Sequence, residues 1–195
     1  MPFYPQKHHR RSIRLKGYDY TQVGAYFITV CTKNRECVLG DVVNSKIHLN
    51  SAGQMIEKWW LELMKKFPTV KKDTHIVMPN HFHGIIIINA DCRGGVTPPL
   101  RKYTLGQIVA FFKYQTTKQI NQTRGTPGIP LWQRNYYEHI IRDEKELHNI
   151  RRYIEGNPVL WEYDRENPNC FPVSTPEINR LVREHYGFMA NEWEN

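Results

Sequence analysis

Four isoleucines stand in succession at Ile85–Ile88, directly after His81-Phe82-His83-Gly84. Successive side chains of a strand leave opposite faces, so a strand that is apolar at every position belongs inside a sheet. The run therefore predicts a central strand over His81–Asn89, preceded by a strand over His75–Met78 and a turn at Pro79-Asn80. It is also the longest aliphatic stretch in the chain, far short of the ~20 apolar residues of a membrane span. No basic segment followed by an apolar one opens the sequence, so neither a membrane partner nor a secretory signal is expected.

Other elements arrange themselves around that strand. Ala25–Thr32 is rich in aromatic and β-branched residues and reads as a strand. Cys37–Leu49 offers two short strands around a Gly40-Asp41 turn. Ser51–Phe67 reads as a helix, with Ser51 and Gln54 as a capping box and a stripe of Met55, Ile56, Trp59, Trp60, Leu63 and Met64. Thr104–Asn121 reads as a second helix with its own Thr104/Gln107 box and a stripe of Leu105, Ile108, Val109 and Phe112. Leu131–Arg142 follows as a strand. A third helix spans Asp143–Asn157, capped by Asp143 and stopped by Pro158, which disfavours helical geometry at Asn157. A last helix runs from Pro176 to Tyr186, capped by Thr175 and ended by Gly187. The long elements give β-α-β-β-α-β and then helix. That is the α+β, ferredoxin-like split unit of four antiparallel strands with two helices on one face.

Charge adds a functional constraint. Lys plus Arg total 27 against 19 Asp plus Glu, a net of +8. Residues 1–20 contribute +4 of this through Lys7, Arg10, Arg11, Arg14 and Lys16 against Asp19. Such a bias suits a polyanionic partner, and a short basic arm orders on a phosphate backbone. Cys31, Cys37, Cys92 and Cys170 form no C-x-x-C pair, which fits a reducing, cytoplasmic compartment rather than a disulfide scaffold. The organisation expected is a basic arm (1–20), a main domain (21–158) and a C-terminal extension (159–195).

Two motifs carry chemistry. His81 and His83 are two apart on a strand, so both imidazoles leave one face and can share a divalent metal. Taken alone, H-x-H is more often two partly buried histidines satisfied by hydrogen bonds. Tyr153 and Asn157 are four apart on the third helix and share a face beside its stripe of Leu147, Ile150 and Ile154. Taken alone, they are a tyrosine at a core margin and an asparagine at a helix end. Combined, the motifs complete a reaction. A tyrosine hydroxyl with pKa near ~10 is a weak nucleophile at neutrality, and an anionic phosphodiester is a poor electrophile. A metal on two imidazoles and one amide oxygen offsets both.

At these residues the chain resembles the HUH single-tyrosine transposases of the insertion sequence 200-like group, and within it the REP-associated tyrosine transposases. The resemblance runs through RRSIRLKGYDY (10–20), GAYFITVCTKNREC (24–37), MPNHFHGIIII (78–88), LWQRNYYEHIIRDEKEL (131–147) and RRYIEGNP (151–158). It implies a ferredoxin-like fold, His81, His83 and Asn157 as ligands of Mg2+ or Mn2+, and Tyr153 as the nucleophile. The implied substrate is a single-stranded DNA hairpin from a palindromic repeat, cleaved and rejoined through a covalent 5′-phosphotyrosine. The implied assembly is a monomer or homodimer.

The DNA contacts expected are Arg10, Arg11, Arg14 and Lys16 in the arm, and Arg101, Lys102 and Lys113 around the second helix. Arg134, Arg151 and Arg152 make a third basic group. Trp132 reads as core rather than as a stacking platform. Tyr136 and Tyr137 are adjacent on a strand and face opposite ways. Competing functions are a domesticated hairpin-binding protein without catalysis and a metal-dependent hydrolase that uses water in place of Tyr153.

Overall fold

The computed structural model describes residue 15 and residues 17–90, 102–164, 166–170 and 174–186. Along the chain run β1 (Gly24–Cys31), β2 (Gly40–Val43), β3 (Lys46–Leu49), α1 (Ser51–Lys66), β4 (Val70–Val77) and β5 (His81–Ile88). Then come α2 (Leu105–Arg124), β6 (Tyr137–Ile141), α3 (Glu144–Gly156), a 3-10 helix (Asn157–Tyr163) and α4 (Thr175–Tyr186). Setting aside the β2–β3 hairpin, the order is β-α-β-β-α-β. The four long strands form one antiparallel sheet in the order β4-β5-β1-β6. This is the ferredoxin-like arrangement expected from the periodicities.

β5 is the spine, as its isoleucines require. Phe82, Ile86 and Ile88 enter the larger core, where α1 and α2 contribute Ile56, Trp60, Leu63, Ile108, Val109 and Phe112. Ile85 enters a second core on the other face with Phe27 of β1 and Leu147, Ile150 and Ile154 of α3, and Ile87 packs against it. The four isoleucines thus divide between two hydrophobic layers. Gly84 is required between them, because a Cβ there would stand 2.8 Å from the rings of Phe82 and Trp60. Trp60 is wholly buried and fills the space that Gly84 leaves.

Several boundaries differ from the sequence reading for identifiable reasons. The β2–β3 turn is at Asn44-Ser45, both left-handed (φ 51° and 58°), and not at Gly40-Asp41. Gly40 instead opens β2 at a close approach to the His48 carbonyl, where a Cβ would collide. α1 is capped by Asn50, whose Oδ1 accepts from Ala52 N (2.9 Å) and Gly53 N (3.1 Å), so Ser51 is inside the helix. Met64, expected in the buried stripe, is exposed. The Thr104/Gln107 capping box of α2 forms reciprocally.

β4 begins five residues earlier than His75, at Val70. A bulge between Lys72 and His75 breaks the alternation that would have revealed it. β6 is shorter than Leu131–Arg142. Trp132 makes only an isolated bridge to Thr32, because its indole N–H donates to Thr116 Oγ1 (2.9 Å) and draws the segment onto α2. Asn157 is helical (φ −52°, ψ −40°) despite Pro158, because the chain does not stop but tightens into the 3-10 helix. Pro158 falls at its start, where a missing N–H costs nothing. At α4, the Glu177 N–H donates to Ser174 Oγ (3.4 Å), one residue before the expected cap; Gly187 lies outside the described residues.

Replacing Gly84 with Ala should lower stability by about 1–3 kcal/mol, the cost of overpacking a filled core. Urea unfolding measures it; an unchanged midpoint would contradict the packing of Trp60 over Gly84.

Candidate active site

Thr29 and Cys31 of β1, His81 and His83 of β5, and Tyr137 and His139 of β6 share the sheet face that α3 covers. The two imidazole rings are 4.5 Å apart. His83 stacks on Phe27 (5.4 Å, 27°) and meets the Tyr153 ring edge-on at 5.4 Å. Tyr153 in turn packs on Phe27 at 6.2 Å. The 3-10 turn after α3 places the Asn157 side chain beside His81 and sets Trp161 5.9 Å from the His81 ring. All four residues expected at the site (His81, His83, Tyr153 and Asn157) are therefore brought together.

Burial holds both imidazoles neutral. It lowers His81 to about 4, against weaker opposing pulls from Glu166 and the Asn157 amide. It lowers His83 well below its ordinary value, helped by the neighbouring His81. The orientation of His81 is set by Asn80. The Asn80 amide nitrogen donates to the carbonyls of Arg35 (3.0 Å) and Glu166, so its oxygen faces His81 Nδ1 at 2.9 Å. Nδ1 must then carry the proton, leaving the Nε2 lone pair open. His83 Nδ1 is hydrogen-bonded to Thr29 Oγ1 at 2.8 Å, on its cross-strand partner, which orients the ring.

Three buried polar atoms of this site are left without a hydrogen-bond partner: His81 Nε2, His83 Nε2 and Asn157 Oδ1. Each such orphan costs about 1–3 kcal/mol, so three within one site require an explanation. Two imidazole nitrogens and an amide oxygen are a donor set for a divalent cation. Among the described residues, no three His, Cys, Asp or Glu side chains gather into a metal cluster, so a third protein donor would have to come from outside those types. Asn157 Oδ1 is placed for it. The residues fit the metal site that the sequence resemblance implies.

The sequence reading missed Asn80, Thr29, Trp161 and Glu166. Asn80 had been read only as half of a turn, although its position beside H-x-H was a usable signal. The Glu166 carboxylate pairs with Arg35 (2.8 Å) and accepts from the Cys31 thiol (3.6 Å). Burial and this carboxylate push Cys31 up to about 12, so the thiol nearest the histidines stays protonated. His139 is hydrogen-bonded to Glu146 (2.7 Å) and serves the β6–α3 connection. Tyr136 and Tyr137 do face opposite ways, one packing against each core.

The basic residues divide. Arg10, Arg11, Arg14, Lys16 and Arg101 lie outside the described residues. Lys102, Arg134 and Arg152 are exposed. Lys113 is half-buried, and its ammonium donates to the carbonyls of Gln133 (2.6 Å), Arg134 (3.0 Å) and Asn135 (3.3 Å). Arg151 makes a two-pronged pair with Asp73, Nε–Oδ1 2.8 Å and Nη2–Oδ2 2.6 Å. Those two cations hold the protein together at the positions where DNA contacts were expected.

The sheet order is that of a ferredoxin-like fold, and its inner strand carries the paired histidines. No family model matches the chain. It is 43% identical over 169 residues to an uncharacterised protein of Haemophilus influenzae, covering 81% of this chain and 93% of that one. It is 28% identical over 156 residues to a second Haemophilus influenzae protein, provisionally named a REP-associated tyrosine transposase, covering 74% and 76%. A solved structure of a REP-associated tyrosine transposase bound to a REP hairpin has the same fold, with a TM-score of 0.51 at 20% identity over 91% of this chain and 88% of that one. The chain is thus similar in sequence to a REP-associated tyrosine transposase and shares the fold of a solved one.

The Asp73–Arg151 pair fastens α3, and with it Tyr153, to the bulge of β4. Hydrogen bonding to Arg151 holds the Asp73 carboxyl down at about 2, below its ordinary 3.8. A carboxyl lowered on folding stabilises above its unfolded pKa and loses that contribution as pH falls through the folded one. Asp73→Asn should therefore cost on the order of 1 kcal/mol above about pH 4, allowing for solvent screening of the half-exposed arginine. The difference from wild type should vanish toward pH 2. Urea titrations across that window measure it, and a difference that persists at the acid end contradicts the pairing.

Proposed function

We propose that this protein is a metal-dependent transposase and endonuclease of single-stranded DNA. It binds a DNA hairpin and cleaves and rejoins the strand through Tyr153. The observation that carries the reading is the convergence of three buried, partnerless donor atoms with a tyrosine ring packed on one of their imidazoles. The hairpin is suggested by the structural relative, which is described as bound to one.

His81 Nε2, His83 Nε2 and Asn157 Oδ1 would hold Mg2+ or Mn2+. Bound there, the ion would supply charge neutralisation at the scissile phosphate. The chain's own residues do the rest. Asn80 keeps the His81 Nδ1 proton in place and Thr29 orients the His83 ring, so both Nε2 atoms would face the ion. Burial keeps both rings neutral. α3, packed through Ile150 and Ile154, holds the Tyr153 ring against His83, from where its hydroxyl would reach the phosphate. That oxygen gives up its proton and bonds to phosphorus, and the phosphorus–O3′ bond breaks. The departing O3′ takes up a proton, and the 5′-phosphate stays on Tyr153. The ester linkage is conserved, so a 3′-hydroxyl can reverse the step without an external energy source.

The test is a denaturing gel of the protein with end-labelled hairpin DNA and Mn2+. Wild type should give a covalent protein–DNA band, and Tyr153→Phe should give none while binding the hairpin with unchanged affinity. Cleavage without the band would identify a water-using nuclease, and binding without cleavage a purely DNA-binding protein. In addition, Asn80→Ala should weaken Mn2+ binding by about 10- to 100-fold, since the His81 ring loses its orienting partner. Calorimetric titration of the folded variant checks this, and an unaltered affinity would remove Asn80 from the site.

A further inference from the structure

A groove of about 790 Å3 opens between the C-terminal half of α2 and the segment returning to β6. Tyr114 and Lys118 line one wall, Ile129 and Pro130 the loop side, and Trp132 and Arg134 the floor and far end. None of its lining residues is acidic. Tyr114 and Ile129 are 61% and 55% exposed, so two large apolar side chains face solvent between cations.

The groove is preformed. The Asn121 amide donates to the Ile129 carbonyl (2.7 Å), and the Thr126 N–H donates to the Asn121 carbonyl (3.0 Å). Gly125 and Gly128 take the left-handed conformations (φ 66° and 81°) that turn the loop back on the helix. Lys113 clamps the carbonyls of 133–135, leaving Lys118 and Arg134 as the exposed cations of the groove.

Its position relative to the histidines is set by backbone hydrogen bonds. Gln133 N donates to the Cys31 carbonyl (2.9 Å) and Lys33 N to the Leu131 carbonyl (2.7 Å). Cys31 is the cross-strand partner of His81. The Gln133 backbone at the groove thus lies two strand spacings, about 10 Å, from the His81 backbone, with α2 on the sheet face opposite the histidines. A single strand with a rise of ~3.4 Å per nucleotide would need at least about three nucleotides to reach it.

We propose that this groove is a binding subsite for an unpaired nucleotide of single-stranded DNA flanking the cleaved phosphodiester. The base lies against Tyr114 and Ile129, and the adjoining phosphates meet Lys118 and Arg134. The inference rests on the function proposed above and assigns part of its substrate a place. Base stacking on an exposed aromatic needs a free π-face, which a paired base inside a duplex does not offer. The cation-only rim supplies the matching charge.

The experiment uses the full chain and DNA hairpins with a short thymidine flank, 2-aminopurine being placed at successive flank positions. Wild type should change the fluorescence of one position a few nucleotides from the cleavage point. Tyr114→Ala should abolish that change and weaken binding roughly ten-fold, while Tyr114→Phe restores both and a flankless hairpin binds all three proteins equally. Lys118→Gln and Arg134→Gln should each reduce the slope of log affinity against log salt by about 1. Equal affinity and equal fluorescence for Tyr114→Ala would overturn the subsite. So would losses confined to the two cation variants, which would mark a plain phosphate contact. Failure of wild type to bind any hairpin would instead overturn the functional reading beneath it.

Discussion

Burial of β5 on both faces is the constraint from which the rest of the molecule follows. A strand with four isoleucines in a row needs two apolar layers. α1 and α2 supply one, around Trp60 and Phe112, and α3 supplies the other, around Ile150 and Ile154. The histidines lie on the same strand and the second of those faces, so the helix that completes the core is also the helix that roofs the site. Covering Phe27 and Ile85 and delivering Tyr153 are one packing event. This ties the position of the proposed nucleophile to the hydrophobic driving force and not to a flexible loop.

Desolvation then sets the chemistry. Two imidazoles inside a sheet would titrate inconveniently if burial did not keep them neutral. It pushes both below their ordinary range, so their lone pairs remain available at physiological pH. Burial also raises the cost of leaving them unpaired. Asn80 and Thr29 satisfy each Nδ1, and the two Nε2 atoms and Asn157 Oδ1 remain as a concentrated debt of polar atoms. The Asn80 amide does this by spanning three chain segments: the Arg35 carbonyl, the Glu166 carbonyl and the adjacent His81 ring. The segment beyond α3 is therefore part of the site's frame, through Trp161 and Glu166, and not an appendage to it.

Much of this was legible in the sequence, where local physics and tertiary structure agree. The β-α-β-β-α-β order, the Thr104/Gln107 capping box and the shared face of His81 and His83 all depend on short-range periodicity. So does the one-turn spacing of Tyr153 and Asn157, which survives although Asn157 was expected to leave helical geometry. The failures occur where a tertiary contact overrides a local preference. Asn50 displaced Ser51 as cap because its side chain also reaches the Val38 carbonyl. The β4 bulge hid Val70–Thr74 by breaking the alternation. Trp132 left the strand pattern because its indole found Thr116. Thr29, Trp161 and Glu166 carry no motif, and only the fold shows that they surround the histidines.

Cations show the same limit in a form that bears on DNA binding. By sequence, Lys113 and Arg151 are indistinguishable from Lys118 and Arg152, yet the first pair spends its hydrogen bonds on backbone carbonyls and on Asp73. Burial lowers Lys113 to about 8, so it depends on those three carbonyls to stay charged near neutrality. Such residues still add to the long-range positive field that would draw in the proposed DNA substrate. They cannot also grip a phosphate without releasing the structure they hold. The net +8 therefore measures attraction, whereas contact and register fall to the fewer cations with donors to spare. Among the described residues Lys118, Arg134 and Arg152 are exposed members of that group, and two of them line the groove beside Tyr114.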